Sequence, residues 1–187
     1  VKDDGIDLDF VFGKENEKKV FDFFRRENIG KNDFLVTLDI TNRREHRQWQ
    51  REKFSKLADL IAEKLKGKVI FLWGPGEGDY IKNAMSLCKK KHIYSDYFDV
   101  LDLAALIKNC NMHVGTSSAP MHIAVSQKTP SFTVYGLKDG PGEWGPPPEI
   151  DKIHGYAQGD LNILSVDEVF GKLMQFHGES IKRRFGG

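Results

Sequence analysis

Three short segments place polar residues or glycines where an apolar strand is expected to end, and each could bind an anionic or hydroxylated ligand. The first is DITNRREHRQW, residues 39–49, in which Thr41 and Arg47 follow the apolar run FLVTLDI. Guanidinium groups form charge-assisted hydrogen bonds to phosphate oxygens, and a threonine hydroxyl adds a neutral one. The segment therefore predicts a phosphate contact, with a solvated turn as the alternative. The basic cluster around it consists of Arg43, Arg44, Arg47 and Arg51.

The second segment, WGPGEGD at residues 73–79, is a glycine-rich turn before a predicted helix. Glycines permit tight turns and close approach of the backbone to a ligand. The spacing is G-x-G-x-G, which differs from the G-x-G-x-x-G of dinucleotide-binding turns. The carboxylate of Glu77 could accept hydrogen bonds from ribose hydroxyls, as acidic residues do in nucleotide-binding α/β folds. The alternative is an exposed glutamate without a ligand.

The third segment, VGTSSAPMHIA at residues 114–124, gives the strongest indication of a binding site. Ser117 and Ser118 precede a helix whose first turn carries Pro120, a common helix-start pattern. Unpaired amides at a helix start bind anions, so a diphosphate would be held here without a metal, next to His122. The alternative is that the serines only cap the helix and that His122 packs in the core.

These segments belong to an alternation of strand and helix patterns. The predicted strands are 34–40, 68–73, 92–95, 112–115, 130–136 and 152–157. The predicted helices are 49–66, ended by Gly67, then 79–90, 100–110, 117–127 and 165–176, the last with a Ser-x-x-Glu capping box, and a Gly/Pro loop spans 137–148. Such alternation predicts an α/β fold with a Rossmann-like parallel sheet and helices on both faces. Since the carboxyl ends of parallel strands share one edge, the three segments should converge there.

The first thirty residues form a separate region. The stretch ENEKKVFDFFRREN predicts a helix ahead of the first strand. Its apolar face would consist of Val20, Phe21, Phe23 and Phe24. The chain begins with Val1 rather than Met, so we expect it to start inside a longer protein. Residues 1–30 are accordingly predicted to be an interdomain linker with a leading helix, and residues 31–187 to be the Rossmann-like domain.

The composition excludes several classes of protein. Lys and Arg total 28 and Asp and Glu total 27, which gives a net charge of +1 and no global basic field for nucleic acid. Two cysteines without a C-x-x-C pair indicate no disulfide framework, and no N-terminal apolar segment of a secretion signal occurs. The longest apolar runs, such as VIFLW, are much shorter than the ~20 residues of a membrane-spanning helix. We therefore expect a cytoplasmic protein that does not bind nucleic acid.

The order of these segments resembles glycosyltransferase family 9, the lipopolysaccharide heptosyltransferases, in its C-terminal nucleotide-sugar-binding half. The likeness is carried by TNRREHRQW with the KFSKLADLIAEKL helix, FLWGPGE, DLAALIKNCNMHVG, SSAPMHIAVSQKTPSFTVYG and the EWGPP turn. It runs from residue 31 to 150, and residues 6–30 resemble the interdomain segment. The family signature at the third segment is G-x-D-(S/T)-G-P-M-H-(I/L)-A after a strand.

The resemblance implies one half of a GT-B glycosyltransferase, in which two Rossmann-like domains face a cleft and this half holds the nucleotide-linked donor, typically ADP-heptose. It implies inverting transfer in lipopolysaccharide core biosynthesis, to a lipid-linked saccharide acceptor and without a metal or other cofactor. The general base is expected on an N-terminal domain absent from this chain, so the isolated chain should be inactive in transfer. Peripheral contact with the inner face of the inner membrane would follow from that acceptor, with Lys89–Lys91 or Lys182–Arg184 each adding about 1 kcal/mol per basic residue.

Carried over residue by residue, the resemblance implies roles in donor binding. Thr41 and Arg47 would face the diphosphate, and Glu77 would bind the ribose or base side of the nucleotide. The remaining donor-binding positions are Ser117, Ser118, Ala119, Pro120, Met121 and His122. Ser117 stands where the family has Asp, and Ala119 where it has Gly, which leaves the identity of the sugar and the activity open. The phosphate site at the helix start does not depend on those side chains.

Other classes of function compete with this interpretation. A non-catalytic nucleotide or nucleotide-sugar binding module is favoured by Ser117 in place of Asp. A dehydrogenase-like NAD-binding domain is less well supported, because the glycine spacing differs. A metal hydrolase is the weakest alternative, since the six histidines show no paired spacing such as H-x-x-x-H.

Overall fold

A computed structural model describes residues 10–138, 140–146 and 153–185, without the side chains of 181–185. Its strands are Phe34–Asp39 (β1), Gly67–Phe71 (β2), Ile93–Tyr94 (β3), Met112–Thr116 (β4), Ser131–Gly136 (β5) and His154–Gly159 (β6). Its α-helices are Lys14–Arg26 (α1), Arg51–Lys64 (α2), Gly78–Ser86 (α3), Val100–Lys108 (α4), Ala119–Ser126 (α5), Pro141–Trp144 (α6) and Val166–Phe185 (α7). A 3-10 turn occupies Glu45–Arg47.

The strands of the described chain form one parallel sheet in the order β3-β2-β1-β4-β5-β6, which confirms the predicted Rossmann-like sheet. The chain moves from β1 outward to β3 and then returns to β4 on the other side of β1. In open parallel sheets such a switch point creates a crevice at the carboxyl ends of the strands, where ligands bind. Asp39 and Gly115 are partners in the register of β1 and β4, at that end of both strands.

Helices cover both faces of the sheet, as predicted, because alternate strand residues are apolar on each side. On one face α2, α3 and α7 pack over the sheet through Phe54, Leu57, Ile61, Ile81, Ala84, Val169, Leu173 and Phe176. On the other face α1 and α4 cover Leu35, Ile70 and Leu72, and α5 packs against α4. In the described part of the chain, no helix has the length and apolar character required to cross a bilayer.

The leading helix α1 packs on the domain, against α4. Val20, Phe23 and Phe24 are buried, whereas Phe21 is 49% exposed, so its assignment to the apolar face is wrong. With 3.6 residues per turn, Phe21 and Phe23 lie at opposite edges of the apolar face, and α4 packs on the edge that carries Phe23. The boundary between linker and domain at residue 30 stays a prediction, and residues 1–9 lie outside the described residues.

Polar contacts add to the packing between α1 and α4. The carboxylate of Asp102 is buried in the first turn of α4. It accepts a hydrogen bond from Asn16 Nδ2 at 2.8 Å and forms an ion pair with the Lys19 ammonium. Both donors lie on α1, so packing of the two helices brings the buried carboxylate its charged partner.

Two predicted boundaries of α2 are wrong for identifiable reasons. The helix begins at Arg51 rather than at Trp49, because Trp49 is fully buried ahead of it and donates its indole N–H to the Leu164 carbonyl at 3.1 Å. Gly67 does not end the helix, since it is the first residue of β2. Lys66, with a left-handed φ of 54°, makes the reversal instead.

Other elements also differ from prediction. Helix α3 ends at Ser86, four residues before the predicted position 90. The predicted loop 137–148 contains the short helix α6, whose first residue Pro141 suits a helix start. Residues 147–152, which include the last proline of the EWGPP turn and the predicted start of the final strand, lie outside the described residues.

Candidate functional site

A cavity of about 670 Å³ lies at the switch point of the sheet. Its walls come from the loops after β1, β2, β3 and β4, from the start of α4 and from α6, so the three segments converge as predicted. The residues that line it are Asp39, Thr41, Asn42, Arg43, Arg44, Arg47, Leu72, Trp73, Gly74, Pro75, Glu77, Ser95, Asp96, Tyr97, Phe98, Asp99, Val100, Leu103, Ser117, Ser118, Ala119, Pro120 and Trp144.

Hydrogen bonds join the loop after β1 to the loop after β4. The Thr116 hydroxyl donates to the Thr41 carbonyl at 2.7 Å, and Asn42 Nδ2 donates to the Ser117 carbonyl at 2.8 Å. Both acceptors are backbone atoms, so these bonds hold the course of the chain at the cavity wall. The first and third segments therefore form one wall.

Close approach of the two strands at this wall requires a glycine. A Cβ at position 115 would lie 2.6 Å from the Asp39 carbonyl oxygen, a distance that side chains do not tolerate. Gly115 thus lets β4 approach the end of β1, and the absence of a side chain is the property that matters here.

Asp39 is a residue of the cavity wall that the sequence interpretation missed. Its carboxylate is 4% exposed and accepts hydrogen bonds from the Ser118 hydroxyl, from the Thr41 hydroxyl at 3.1 Å and from the Thr41 amide at 3.3 Å. Burial raises the pKa of Asp39 to about 6, with a smaller contribution from the negative charge of Glu77, although the Ser118 and Thr41 hydrogen bonds oppose the shift. Its position as the last strand residue before the basic loop was the available signal.

The basic wall of the cavity is held by a tryptophan. Arg47 is 5% exposed and its guanidinium carbon lies 4.3 Å from the ring centroid of Trp144, and that of Arg44 lies 5.4 Å away. Arg43 lines the same wall. Cation–π contacts of this kind orient a guanidinium without neutralising its charge. Trp144, from the EWGPP turn, was not predicted to belong to the site.

Glu77 is half-buried and holds its own turn together. Its Oε2 accepts the Gly74 amide hydrogen at 2.7 Å, and Gly76 in the middle of the turn has a left-handed φ of 84°. The turn therefore depends on the carboxylate and on one flexible glycine. A contact between Glu77 and a ribose would fall to the other carboxylate oxygen.

The start of α5 offers fewer amides than the sequence suggested. Pro120 has no N–H, and the Met121 amide donates to the Ser118 carbonyl at 3.2 Å. Any anion contact at this helix start thus falls to the amides at and before Ala119. Among the described residues Ser118 is the N-cap, yet its side chain forms no capping hydrogen bond because the hydroxyl is turned to Asp39.

The last two predicted donor-binding positions lie away from the cavity. Met121 is fully buried in the core, and His122 is exposed on α5. The described lining of the cavity includes neither residue. The helical turn after Pro120 places Met121 in the core and His122 on the surface, so neither lines the cavity.

Aromatic side chains from the segments after β2 and β3 also line the cavity. Trp73 stacks on Tyr94 with ring centroids 5.6 Å apart and an interplanar angle of 11°, and its indole N–H donates to the Ser95 carbonyl at 2.8 Å. Tyr97 contacts the same tryptophan and is 48% exposed. Fixed aromatic rings offer a flat surface on which a planar base can stack.

Comparison with known proteins agrees with this arrangement of strands and loops. The family model described as glycosyltransferase family 9 (heptosyltransferase) matches residues 7–164. The chain belongs to glycosyltransferase family 9. A curated family relative, lipopolysaccharide heptosyltransferase 3 of Escherichia coli (strain K12), is 30% identical over 115 residues, which cover 59% of this chain and 33% of the relative.

Solved structures of the family have the same fold. The glycosyl transferase family 9 protein from Veillonella parvula DSM 2008 matches with a TM-score of 0.82 and 21% identity, over 92% of this chain and 54% of that one. The E. coli ADP-heptose lps heptosyltransferase II matches with a TM-score of 0.69 and 12% identity, over 92% and 54%. The chain has the Rossmann-like α/β fold of one half of these GT-B enzymes, and it spans about half of their length.

Away from the cavity, one group of possible metal ligands occurs in the described part of this family member. Atoms of Asp59, Cys88 and His92 lie within 4.8 Å of one another. The Asp59 carboxylate already accepts hydrogen bonds from the Lys89 amide at 2.7 Å and the Lys90 amide at 2.9 Å, and His92 Nε2 lies 3.0 Å from it. Burial also raises the pKa of the Cys88 thiol to about 11, which disfavours the thiolate that binds metals. We interpret the group as a hydrogen-bonded anchor for the segment between α3 and β3.

Proposed function

We propose that this chain is the donor-binding half of an inverting glycosyltransferase and that the switch-point cavity binds a nucleotide-linked sugar, with ADP-heptose as the donor. The observation that carries the proposal is the lining of one cavity in a family 9 chain, which combines arginines, a helix start, aromatic rings and Glu77. A nucleoside diphosphate carries the chemical groups that match this lining: phosphates, a ribose and a base.

Each part of the donor then has a chemical counterpart. The diphosphate lies between Arg47 and the amides at and before Ala119, where it can accept charge-assisted hydrogen bonds. The ribose contacts Glu77, and the base stacks on the surface formed by Trp73 and Tyr97. During transfer the leaving diphosphate gains negative charge, which the same arginine and amides stabilise.

The proposal also covers the acceptor and the general base of the reaction. The names of the matched relatives favour lipopolysaccharide core biosynthesis, with a lipid-linked saccharide acceptor that reaches the protein at the cytoplasmic face of the inner membrane. A second domain would supply the general base that removes the acceptor proton. Peripheral membrane contact would be salt-dependent and would use basic residues such as Lys89–Lys91; the side chains of Lys182–Arg184 lie outside the described residues.

Isothermal titration calorimetry with ADP, UDP, GDP and ADP-heptose tests donor binding. We expect saturable binding of ADP and ADP-heptose, and no transfer of heptose by this chain alone. Absence of binding of every nucleotide by folded protein would overturn the proposal. Turnover of ADP-heptose by these 187 residues would overturn the assignment of the base to another domain.

A non-catalytic nucleotide-sugar binding module is the second candidate. The observation in its favour is Ser117, which is buried, has its carbonyl held by Asn42 and offers a hydroxyl where the family resemblance leads us to expect a carboxylate. Donor binding without transfer, after this chain is joined to its second domain, would favour the module. Transfer by the joined protein would exclude it.

A further inference from the structure

The hydrogen-bond pattern around Asp39 determines which way two hydroxyl groups in the cavity can act. One carboxylate oxygen accepts from the Ser118 hydroxyl, and the other accepts from the Thr41 hydroxyl at 3.1 Å and the Thr41 amide at 3.3 Å. Each hydroxyl has a single hydrogen, and an ionised carboxylate can only accept. Both hydrogens therefore point at Asp39, and both oxygens present lone pairs to the cavity.

An alternative acceptor does not free a hydroxyl hydrogen for a ligand. Ser118 Oγ also lies 3.4 Å from the Thr116 carbonyl, which would use the same hydrogen. Among the described residues, the Ser118 side chain forms no capping hydrogen bond to α5. With Asp39 ionised, neither Ser118 nor Thr41 has a hydrogen to donate to a ligand.

A phosphate oxygen is a poor partner for such a corner, because phosphate oxygens accept hydrogen bonds and carry negative charge. A ligand hydroxyl is a good partner, because it can donate. We propose that Asp39 is a positioning residue that holds Ser118 and Thr41 as hydrogen-bond acceptors for a hydroxyl of the donor's transferred sugar. The inference rests on the proposed function, and it changes the expected role of Thr41 from a phosphate contact to a carbohydrate contact.

The surroundings of Asp39 favour a change in its protonation state near neutral pH. Burial and the charge of Glu77 raise the pKa of Asp39 to about 6. His113, which also lies beside Gly115, is fully buried and its pKa is lowered to about 3, so its ring stays neutral while Asp39 titrates. The other charged residues around the cavity are Arg43, Arg44, Arg47, Asp96 and Asp99. Protonated Asp39 would donate to one of the two hydroxyl oxygens and release that hydroxyl's hydrogen toward the cavity.

The variant Asp39→Asn tests the inference with little change of shape. The asparagine carbonyl accepts from one hydroxyl, but its NH₂ group donates to the other, which must turn its hydrogen away. Asp96→Asn is the matched control, because Asp96 lines the same cavity and pairs with Arg26 but contacts neither hydroxyl. Circular dichroism and thermal unfolding confirm that both variants are folded.

Calorimetry at about pH 7.5 uses inorganic pyrophosphate, ADP and ADP-heptose as probes. We expect Asp39→Asn to weaken the binding of ADP-heptose roughly tenfold or more, as for loss of a hydrogen bond to a charged network. The affinities for pyrophosphate and ADP should be unchanged or higher. Asp96→Asn should show no such selectivity. A loss shared by ADP and ADP-heptose but not by pyrophosphate would assign the ribose instead and overturn the sugar contact.

A pH series separates positioning from a structural role. Between about pH 7.5 and pH 5 the native protein should lose its preference for ADP-heptose over pyrophosphate, while Asp39→Asn stays flat. The affinities of the native protein and of Asp39→Asn are each compared with those of Asp96→Asn at the same pH, so the effect of phosphate titration cancels. Equal affinities of Asp39→Asn and the native protein for all probes would overturn the inference alone, whereas no binding by the native protein would overturn the proposed function.

Discussion

The guanidinium carbon of Arg47 lies 4.3 Å from the ring centroid of Trp144, which joins the 3-10 turn after β1 to helix α6. The two residues are far apart in the chain, and both line the cavity at the switch point of the sheet. The contact fixes the plane of the positively charged guanidinium group. In the proposed function this charge faces the diphosphate of the donor.

Replacement of Arg47 by alanine should weaken ADP binding by about 1.5–3 kcal/mol, the range for a charge-assisted hydrogen bond. Trp144→Ala should weaken it by about 0.5–2 kcal/mol, since the guanidinium loses its orientation but not its charge. Calorimetry on folded protein measures both. Arg51→Ala removes the same charge from a neighbouring residue that contacts Tyr80, and it should bind ADP as the native protein does. Unchanged affinity in Arg47→Ala would exclude the diphosphate contact.

Two phenylalanines on α1 distinguish a packed helix from a linker. Phe23 is buried against Phe98 with ring centroids 5.4 Å apart, whereas Phe21 is 49% exposed. Phe23→Ala should lower the free energy of unfolding by about 3–5 kcal/mol through loss of apolar burial and the cavity that remains. Phe21→Ala should change it by less than about 0.5 kcal/mol. Urea denaturation measures both, and an effect of Phe23→Ala as small as that of Phe21→Ala would show that α1 does not contribute to the stability of the domain.

Two glycine substitutions should have opposite effects on the stability of the protein. Gly115→Ala places a Cβ 2.6 Å from the Asp39 carbonyl oxygen and should destabilise the protein by about 1–3 kcal/mol. Gly171→Ala, in α7, meets nothing within 4 Å and should stabilise it by about 0.5–1 kcal/mol through helix propensity. Guanidinium chloride denaturation gives both values. A tolerated alanine at 115 would mean that the strands can separate at the cavity without cost.

The anchor at Asp59 predicts a pH-dependent contribution to stability. Burial opposes ionisation of Asp59, but hydrogen bonds from the Lys89 amide, the His92 ring and the Lys90 amide outweigh it and lower the pKa of the carboxyl. A lowered folded-state pKa stabilises the fold above the unfolded-state value and loses that effect as the pH falls through the folded value. Asp59→Asn should therefore cost about 1–3 kcal/mol at about pH 7, and its difference from the native protein should shrink below about pH 4.

Glu63→Gln is the control for that experiment. Glu63 lies on the same helix α2, and its ion pair with Lys64 is half-exposed, so its removal should change the free energy of unfolding by less than about 0.5 kcal/mol. Urea denaturation at several pH values measures both variants. A cost for Asp59→Asn that is the same at pH 7 and at pH 3 would contradict the role of the charge.

The alternation of apolar runs and helical spacings was enough to predict the parallel sheet, its coverage by helices and the convergence of three loops. Those features depend on local periodicity, because a strand or helix must bury one side whatever its partners are. The family resemblance added the order of the motifs, and the match over residues 7–164 confirms it. Boundaries were less certain, as Trp49 and Lys66 show, because packing and single backbone conformations determine where a helix begins and ends.

Other features depended on residues that only the folded chain brings together. Asp39 looks like the end of any strand until Ser118 and Thr41 are seen to donate to it, and Phe21 cannot be told from Phe23 without the position of α4. The direction of the hydroxyl hydrogens in the cavity depends on a carboxylate from a different strand, and the orientation of Arg47 depends on Trp144. Periodicity along the chain reports which side of an element is buried, whereas these contacts link distant segments and exist only after the strands have taken their places in the sheet.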